Sequence, residues 1–477
     1  MNFLKLGSMD KKIILGSIFC FLILALLDTV LAVGVALIVF LTAITFLIFK
    51  KAGFKTKTIY ILFLITLSIY FGAVLFFYYT NFQPFSGGAG DYSTYDSLGQ
   101  EISGRLHQGN FSLQGIAYEN FYPVIIGYIY TLTLPEVLIG RMFNAFVAAL
   151  LAAFIYLIVL EMGGSEKQGF FSGLMANIYP SLIFFGTLLG KDVLAPLLAL
   201  IVLFLILKLL KTFSFAKFII FYIFLGALIQ LRIYIGFAAL LTFIICWPIF
   251  SNLKLKKRLL YAFIAIILLG FLPQISAGQG YYGINFIKAY LTQDMITFFR
   301  ERISIPNPKI SETTGLPVYD ESPTPESSLS ESPNPVVTKR GRGSAIEVKA
   351  GFENPFKFLR NSVIAFIYAS LGPFPWQLRY LRHLLILPET ILWYFALFFA
   401  IKGIKKPVRS HAFTLCAFSL LVLGSLSVFL TNYGITTRIR VPAFLAIFCL
   451  TPFGINWISD NKIIKFFSKS LDALIKT

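Results

Sequence analysis

The stretch IILGSIFCFLILALLDTVLAVGVALIVFLTAITFLIF, residues 13–49, decides the fold class. Its only charged residue is Asp28, near the middle. At about 1.5 Å of rise per residue, the run is too long for one crossing of a bilayer core, which takes about 20 residues. We predict two membrane helices joined by a tight outer turn that exposes Asp28. Lys11 and Lys12 precede the run as in a signal peptide, but no small-residue cleavage site follows, so we interpret it as retained helix.

The composition of the whole chain also indicates an integral membrane protein. Of its 477 residues, 57% are hydrophobic and 13% are charged, whereas soluble proteins carry about a quarter charged residues. Apolar runs in lipid must be helical, because every backbone amide needs an internal partner. We predict an all-α polytopic protein, a helical bundle with about 12 transmembrane helices. The predicted spans are residues 13–27, 31–49, 59–79, 136–160, 169–189, 193–209, 217–231, 234–250, 259–276, 385–401, 411–430 and 441–457.

Basic clusters in four short loops set the predicted orientation. They lie in residues 50–57, 208–217, 254–258 and 402–409. With these spans all four clusters fall on one side, which the positive-inside rule makes cytoplasmic. The net charge of +19 is then explained by cytoplasmic loops, and we predict no nucleic-acid partner. The expected location is the bacterial inner membrane, with the functional groups on the periplasmic side.

Three further segments complete the predicted organisation. Residues 121–134 and 358–374 are apolar, but a crossing at either would reverse the later basic clusters, so we expect interfacial or re-entrant helices. Residues 306–345 are rich in Pro, Ser, Glu and Thr, a composition typical of a disordered tether. The predicted regions are an N-terminal hairpin with a basic loop (1–57), a catalytic core (58–276) with its first outer loop (80–135), a second outer loop (277–357), and a C-terminal interfacial segment with three spans (358–477).

Charged residues close to the bilayer are costly and by default mark a functional site. The predicted topology brings nine of them to the outer face: Asp91, Asp96, Glu119, Arg141, Lys191, Asp192, Arg232, Arg438 and Arg440. The four cysteines and three histidines show no metal-ligand spacing. The outer acids and bases are therefore the candidates for chemistry.

Two motifs of the first outer loop carry a family resemblance. The string SGGAGDYSTYD, residues 86–96, follows a predicted span, and YENFYP, residues 118–123, comes late in the same loop. With Gly140-Arg141 and the stretch 179–192, they make the chain resemble the GT-C glycosyltransferases, in the branch of the protein O-mannosyltransferases and the lipid A aminoarabinose transferase. That branch commonly has Asp-Glu-x-x-Tyr early in this loop. Asp91 and Tyr95 match it, and Tyr92 replaces the second acid.

The resemblance, which reaches about residue 250, implies the reaction. A sugar would move from a polyprenyl-phosphate carrier to an acceptor hydroxyl on lipid, glycan or protein, with inversion. The acceptor hydroxyl needs a general base, for which Asp91 is the candidate, with Tyr92 and Tyr95 in support. The leaving phosphate needs cations, for which the candidates are Lys191, Arg232, Arg438, Arg440 and Arg141. Candidates for acceptor binding or for a divalent cation, which some relatives use, are Asp96, Glu119 and Asp192.

Simpler interpretations remain open for these residues. Asp91 can be a helix cap or a turn residue, and Asp96 can be the base in its place. Glu119 and Asp192 can form salt bridges, and Arg438 and Arg440 can anchor lipid headgroups.

Two other functions compete with the transferase. The first is a polysaccharide polymerase or ligase that uses a lipid-linked oligosaccharide. The second is a transporter, which calls for broken helices and charges near the bilayer midplane. The predicted spans are almost free of charge between their ends, which disfavours a transporter.

Overall fold

The computed structural model describes residues 26, 28–54, 56–82, 91–116, 118, 120–270, 309–310, 317–318, 354–374, 387–429 and 433–455. This part of the chain is helical, apart from a short antiparallel pair, β1 (Lys309–Ile310) and β2 (Pro317–Val318). The predicted span 13–27 and the remainder of the tether 306–345 lie outside the described residues. Their structure stays a prediction.

Sixteen α-helices follow one another in the described residues. They are α1 (Thr29–Lys51), α2 (Lys57–Thr80), α3 (Asp91–His107), α4 (Tyr122–Leu132), α5 (Val137–Glu161), α6 (Glu166–Asn177), α7 (Pro180–Thr187), α8 (Leu194–Lys211), α9 (Phe215–Leu231), α10 (Ile233–Phe250), α11 (Leu255–Gly270), α12 (Pro355–Leu371), α13 (Leu387–Gly403), α14 (Arg409–Phe429), α15 (Tyr433–Ile439) and α16 (Val441–Leu450). A 3-10 turn, Thr451–Gly454, continues α16.

Six of these helices are long and apolar enough to cross a membrane, namely α1, α2, α5, α8, α10 and α14. The number is seven if α6 and α7, bent by 65°, form one span. The multi-pass helical prediction is thus confirmed, but the count of about 12 is not. Among the described helices at the other predicted spans, α9 has 17 residues. At about 1.5 Å per residue it is about 26 Å long, near the lower limit for crossing a core of about 30 Å.

Proline explains the bend within the predicted span 169–189. Pro180 disfavours the helical conformation for the residue before it, and Tyr179 is extended, with φ −84° and ψ 106°. The apolar run therefore breaks into α6 and α7 at this point. Hydropathy alone joins the two helices, because both are apolar.

Helix α5 is the centre of the bundle. Of its most apolar stretch 78% is buried, against 22% for α1 and 33% for α2, which lie at the edge. Buried alanines along α5, Ala145, Ala148, Ala149, Ala152 and Ala153, let neighbouring helices approach closely. Helices α1, α2, α6 and α8 pack around it.

Helix α1 begins directly after Asp28, at the charge that interrupts the apolar run 13–49, whereas the turn predicted there stays a prediction. Asp28 is the N-cap of α1, with its Oδ1 accepting from the Leu31 amide at 2.9 Å. Its Oδ2 accepts from the Tyr79 hydroxyl at the end of α2, also at 2.9 Å. These two bonds, the Leu31 amide first, hold the pKa of Asp28 below its usual value.

Helices α3 and α4 pack on each other as a small layer near the N-terminal end of α5. At 11 residues, α4 is too short to cross the bilayer, in keeping with the predicted interfacial segment 121–134. The two helices approach closely at Gly127, where a Cβ would stand 2.5 Å from the Ile102 side chain. This layer places the aromatic and acidic residues of α3 beside the N-terminal end of α5.

Candidate functional site

A buried carboxylate, Asp192, joins two arginines from distant parts of the chain. Asp192 lies in the turn between α7 and α8, and its Oδ1 accepts from Arg232, the residue between α9 and α10. Its Oδ2 lies 2.6 Å from Nε of Arg438, in α15. The structure therefore brings together three of the predicted outer residues, which hold the ends of α8, α10 and α15 to one another.

The cluster around Asp192 carries more positive than negative charge, which favours the binding of anions. Burial alone raises the pKa of Asp192, but the charges of Arg438 and Arg232 outweigh it and hold that pKa below its usual value. The carboxylate is therefore ionised. With the neighbouring Lys191, the cluster contains three cations and one carboxylate, and so carries an excess of positive charge.

Asn144 of α5, which the sequence analysis did not single out, fixes the turn that carries Lys191 and Asp192. Its amide nitrogen donates to the carbonyl oxygens of Leu188 at 2.6 Å and Gly190 at 3.0 Å. Its Oδ1 accepts from the Tyr122 hydroxyl at 3.1 Å. An asparagine within a membrane helix is the signal that could have identified it, because such residues need partners.

Arg440 lies in a second, separate ion pair. It is fully buried and donates to Oε1 of Glu389 at 2.8 Å. It also donates to the carbonyl oxygen of Gly372 at 2.5 Å. Glu389 in turn accepts from the hydroxyls of Tyr179, at 2.7 Å, and Ser181. The pair ties α13 and α16 to the bend between α6 and α7.

Glu389 was missed at the sequence level, although its charge within the predicted span 385–401 was a visible signal. Counted along α13 to Gly403, it lies about 21 Å from the C-terminal end of that helix. With both groups paired and buried, the structure gives Arg440 a packing role. It does not place Arg440 beside the Asp192 cluster's carboxylate.

Arg141 differs from the other predicted cations. It lies in the first turns of α5, is 7% exposed, and stacks on the Tyr78 ring at 5.7 Å from its centroid. None of the carboxylates in the described residues forms an ion pair with it, and its Nε has no hydrogen-bond partner there. An unpaired buried guanidinium is costly, so this position is suited to an anion from outside the bundle.

Asp96 of α3 lies near Arg141 and is held by two donors. The Tyr130 hydroxyl donates to its Oδ1 at 2.6 Å, and the Gln100 amide donates to its Oδ2 at 3.0 Å. Burial, and then the bond to Asp96, raise the pKa of Tyr130 above its usual value, so this hydroxyl keeps its proton. Asp96 is close enough to Arg141 to act on its charge.

Lys191 lies over the ring of Tyr95, with Nζ 5.7 Å from the centroid. Tyr95 is buried, accepts from the Asn120 amide at 3.1 Å, and packs on Tyr122 with ring centroids 5.3 Å apart. Tyr92 is half-buried against the core. Asp91 begins α3, one turn before Tyr95, but its side chain lies outside the described residues, as does Glu119.

The described residues contain no group of three His, Cys, Asp or Glu side chains close enough to share a metal ion. The predicted divalent cation therefore stays a prediction, with Asp96 and Asp192 as its described candidate ligands. A scan against protein-family models and a search of curated proteins found no match for this chain. Its function has to be argued from the site alone.

Proposed function

We propose that this protein is an inverting glycosyltransferase that moves a sugar from a polyprenyl-phosphate donor to an acceptor hydroxyl on lipid, glycan or protein. The reaction takes place on the periplasmic side of a bacterial inner membrane. The proposal includes the finer topology of about 12 spans, in which the shorter apolar helices also cross. A divalent cation is allowed and not required.

The buried guanidinium of Arg141, which forms no ion pair among the described residues, carries this proposal. A phosphate needs cationic stabilisation as it becomes a leaving group, and arginine matches phosphate oxygens with paired donors. Arg232 and Arg438 already neutralise Asp192, and Arg440 neutralises Glu389. Arg141 is therefore the first candidate for direct phosphate contact, with Lys191 second. The Asp192 cluster adds long-range positive charge.

The base is a carboxylate of α3. Both oxygens of Asp96 already accept hydrogen bonds, from Tyr130 and Gln100, which hold this carboxylate in place. Asp91 is one turn before Tyr95, whose ring contacts Lys191. We assign the base to Asp91 and acceptor binding to Asp96.

These groups suffice for a balanced step. The acceptor oxygen attacks the anomeric carbon from the face opposite the phosphate, and its proton passes to the Asp91 carboxylate. The bond between the anomeric carbon and the phosphate oxygen breaks. Polyprenyl phosphate leaves with its developing charge next to Arg141.

The test incubates purified protein in lipid nanodiscs with defined polyprenyl-phosphate sugars and analyses the products by mass spectrometry. We expect transfer by the native chain. Asp91→Asn should lower the rate by about 10²–10⁴-fold, and Arg141→Gln by about 10²–10³-fold. Glu101→Gln, an exposed carboxylate on the same helix, is the matched control and should keep full activity. Full activity of Asp91→Asn would remove Asp91 from the mechanism.

Two alternatives have distinct outcomes in related assays. Acceptance of lipid-linked oligosaccharides alone, with every single-sugar donor refused, would establish the polymerase or ligase. A transporter is favoured by one observation, the 65° bend between α6 and α7 beside the buried pair of Glu389 and Arg440. Movement of a sugar-lipid across liposomes without any new glycosidic bond would establish it and contradict the transferase.

A further inference from the structure

An apolar groove runs between α1 and α2 on the edge of the bundle. Its walls are Val35, Ile38 and Val39 from α1, and Leu67, Ser68 and Phe71 from α2. The cavity measures about 230 Å³, far above the roughly 10–15 Å³ that one water needs. Apolar cavities do not hold water, so in a bilayer this groove takes a hydrocarbon chain.

The groove exists because α1 and α2 contact each other near their ends. Near the cytoplasmic ends the rings of Phe46 and Tyr60 are 4.8 Å apart. At the outer ends Tyr79 bonds to Asp28. Between these contacts both helices lean on α5, and α1 approaches α5 closely at Gly34, where a Cβ would stand 2.4 Å from the Met142 sulfur.

The groove leads toward Arg141. Leu67, Phe71, Leu75 and Tyr78 are spaced by four, four and three residues, so they share one face of α2. All four are half-buried hydrophobic residues packed against the core. Along the axis of α2, Tyr78 lies about 10 Å beyond Phe71. The guanidinium of Arg141 lies over the ring of Tyr78. Met142, which touches the groove side of α1, is the neighbour of Arg141 in sequence.

We infer that the groove between α1 and α2 holds the lipid chain of a polyprenyl phosphate whose phosphate is bound by Arg141. The inference rests on the proposed function for the choice of a polyprenyl chain. Independently of that choice, an apolar groove below a buried cation that has no carboxylate partner among the described residues fits a lipid with an anionic head. A polyprenyl phosphate supplies one chain and a terminal phosphate, which matches one groove and one guanidinium.

The test uses a polyprenyl monophosphate that carries a photoreactive diazirine on its chain, without any sugar. After irradiation of the full-length protein in nanodiscs, labelled peptides are mapped by mass spectrometry. We expect the label in residues 29–51 and 57–80. Excess unlabelled polyprenyl monophosphate should displace it, and phosphatidylglycerol should not. Equal displacement by phosphatidylglycerol would show an ordinary bilayer lipid in the groove and overturn the inference.

Tryptophan variants sharpen the result. Ser68→Trp fills the groove, and we expect it to lower labelling there by about tenfold. Ile69→Trp, the matched control, adds the same ring at an exposed neighbouring position outside the groove walls and should leave labelling unchanged. Equal labelling of both variants would contradict the inference.

The outcomes also separate this inference from the proposed function. Sugar transfer with the label outside α1 and α2 would overturn the groove and leave the transferase in place. A label in the groove without transfer of any sugar would support the groove and count against the transferase.

Discussion

Two buried arginines, Arg141 and Arg440, show opposite solutions to the same physical problem. Arg440 is fully buried, but Glu389 balances its charge at 2.8 Å and the carbonyl oxygen of Gly372 accepts a further hydrogen bond. Arg141 is 7% exposed and has an aromatic ring, but no carboxylate partner among the described residues. A buried charge with a partner in the protein helps to hold the fold, whereas a buried charge without one can bind a ligand of opposite charge. The comparison assigns Arg440 to structure and Arg141 to binding.

Removing one partner of the Arg440 pair should have the largest effect on folding. Arg440→Gln leaves the Glu389 carboxylate buried without its cation, and we expect a loss of about 3–5 kcal/mol in unfolding free energy. The midpoint of chemical unfolding in detergent measures it. The double variant Glu389→Gln with Arg440→Gln should lose less than the single one. If the single and double variants lose equally, Arg440 is not held by that ion pair.

Removing the carboxylate of the Asp192 cluster should have an intermediate effect on the unfolding free energy. Asp192→Asn leaves Arg232 and Arg438 facing each other, and we expect a loss of about 3 kcal/mol. The cost is below that of Arg440→Gln because Arg438 is one quarter exposed and can be hydrated. Unfolding curves recorded at low and at high salt check the cause, because screening relieves repulsion between exposed charges. A stability equal to that of the native chain would contradict the role of Asp192.

Arg141→Gln should have a large effect on sugar transfer without weakening the fold. Arg141→Gln removes a buried charge that has no carboxylate partner among the described residues, so we expect the unfolding free energy without ligand to stay level or to rise. The exposed pair Arg105 and Glu101 provides the reference, since Arg105→Gln should change stability by about 0.2–0.5 kcal/mol. A loss as large as that of Arg440→Gln would show that Arg141 is structural.

The sequence was sufficient for those features that depend on hydropathy and local chemistry. The apolar runs predicted the multi-pass helical fold, and Asp28 within 13–49 coincides with the N-cap of α1. The basic loops predicted which helix ends lie on the same side, and that prediction placed Asp192, Arg232 and Arg438 together.

What the sequence could not supply was pairing across the fold. Glu389 and Arg440 are 51 residues apart in sequence, and only the packing of α13 on α16 brings them together. Asn144 depends likewise on carbonyl groups of a turn far along the chain. The predicted count of about 12 spans is not confirmed, because several of the described helices are short and hydropathy windows do not detect a bend such as the one at Pro180.

The most direct test measures how far a polyprenyl monophosphate stabilises the native chain and the Arg141→Gln variant against thermal unfolding. A ligand at 100 times its Kd adds about 2.7 kcal/mol to the folded state. We predict that the lipid stabilises the native chain by about this amount and stabilises Arg141→Gln far less, while Arg440→Lys keeps the response. Equal stabilisation of the native chain and Arg141→Gln would contradict the assignment of Arg141 as the phosphate-binding residue.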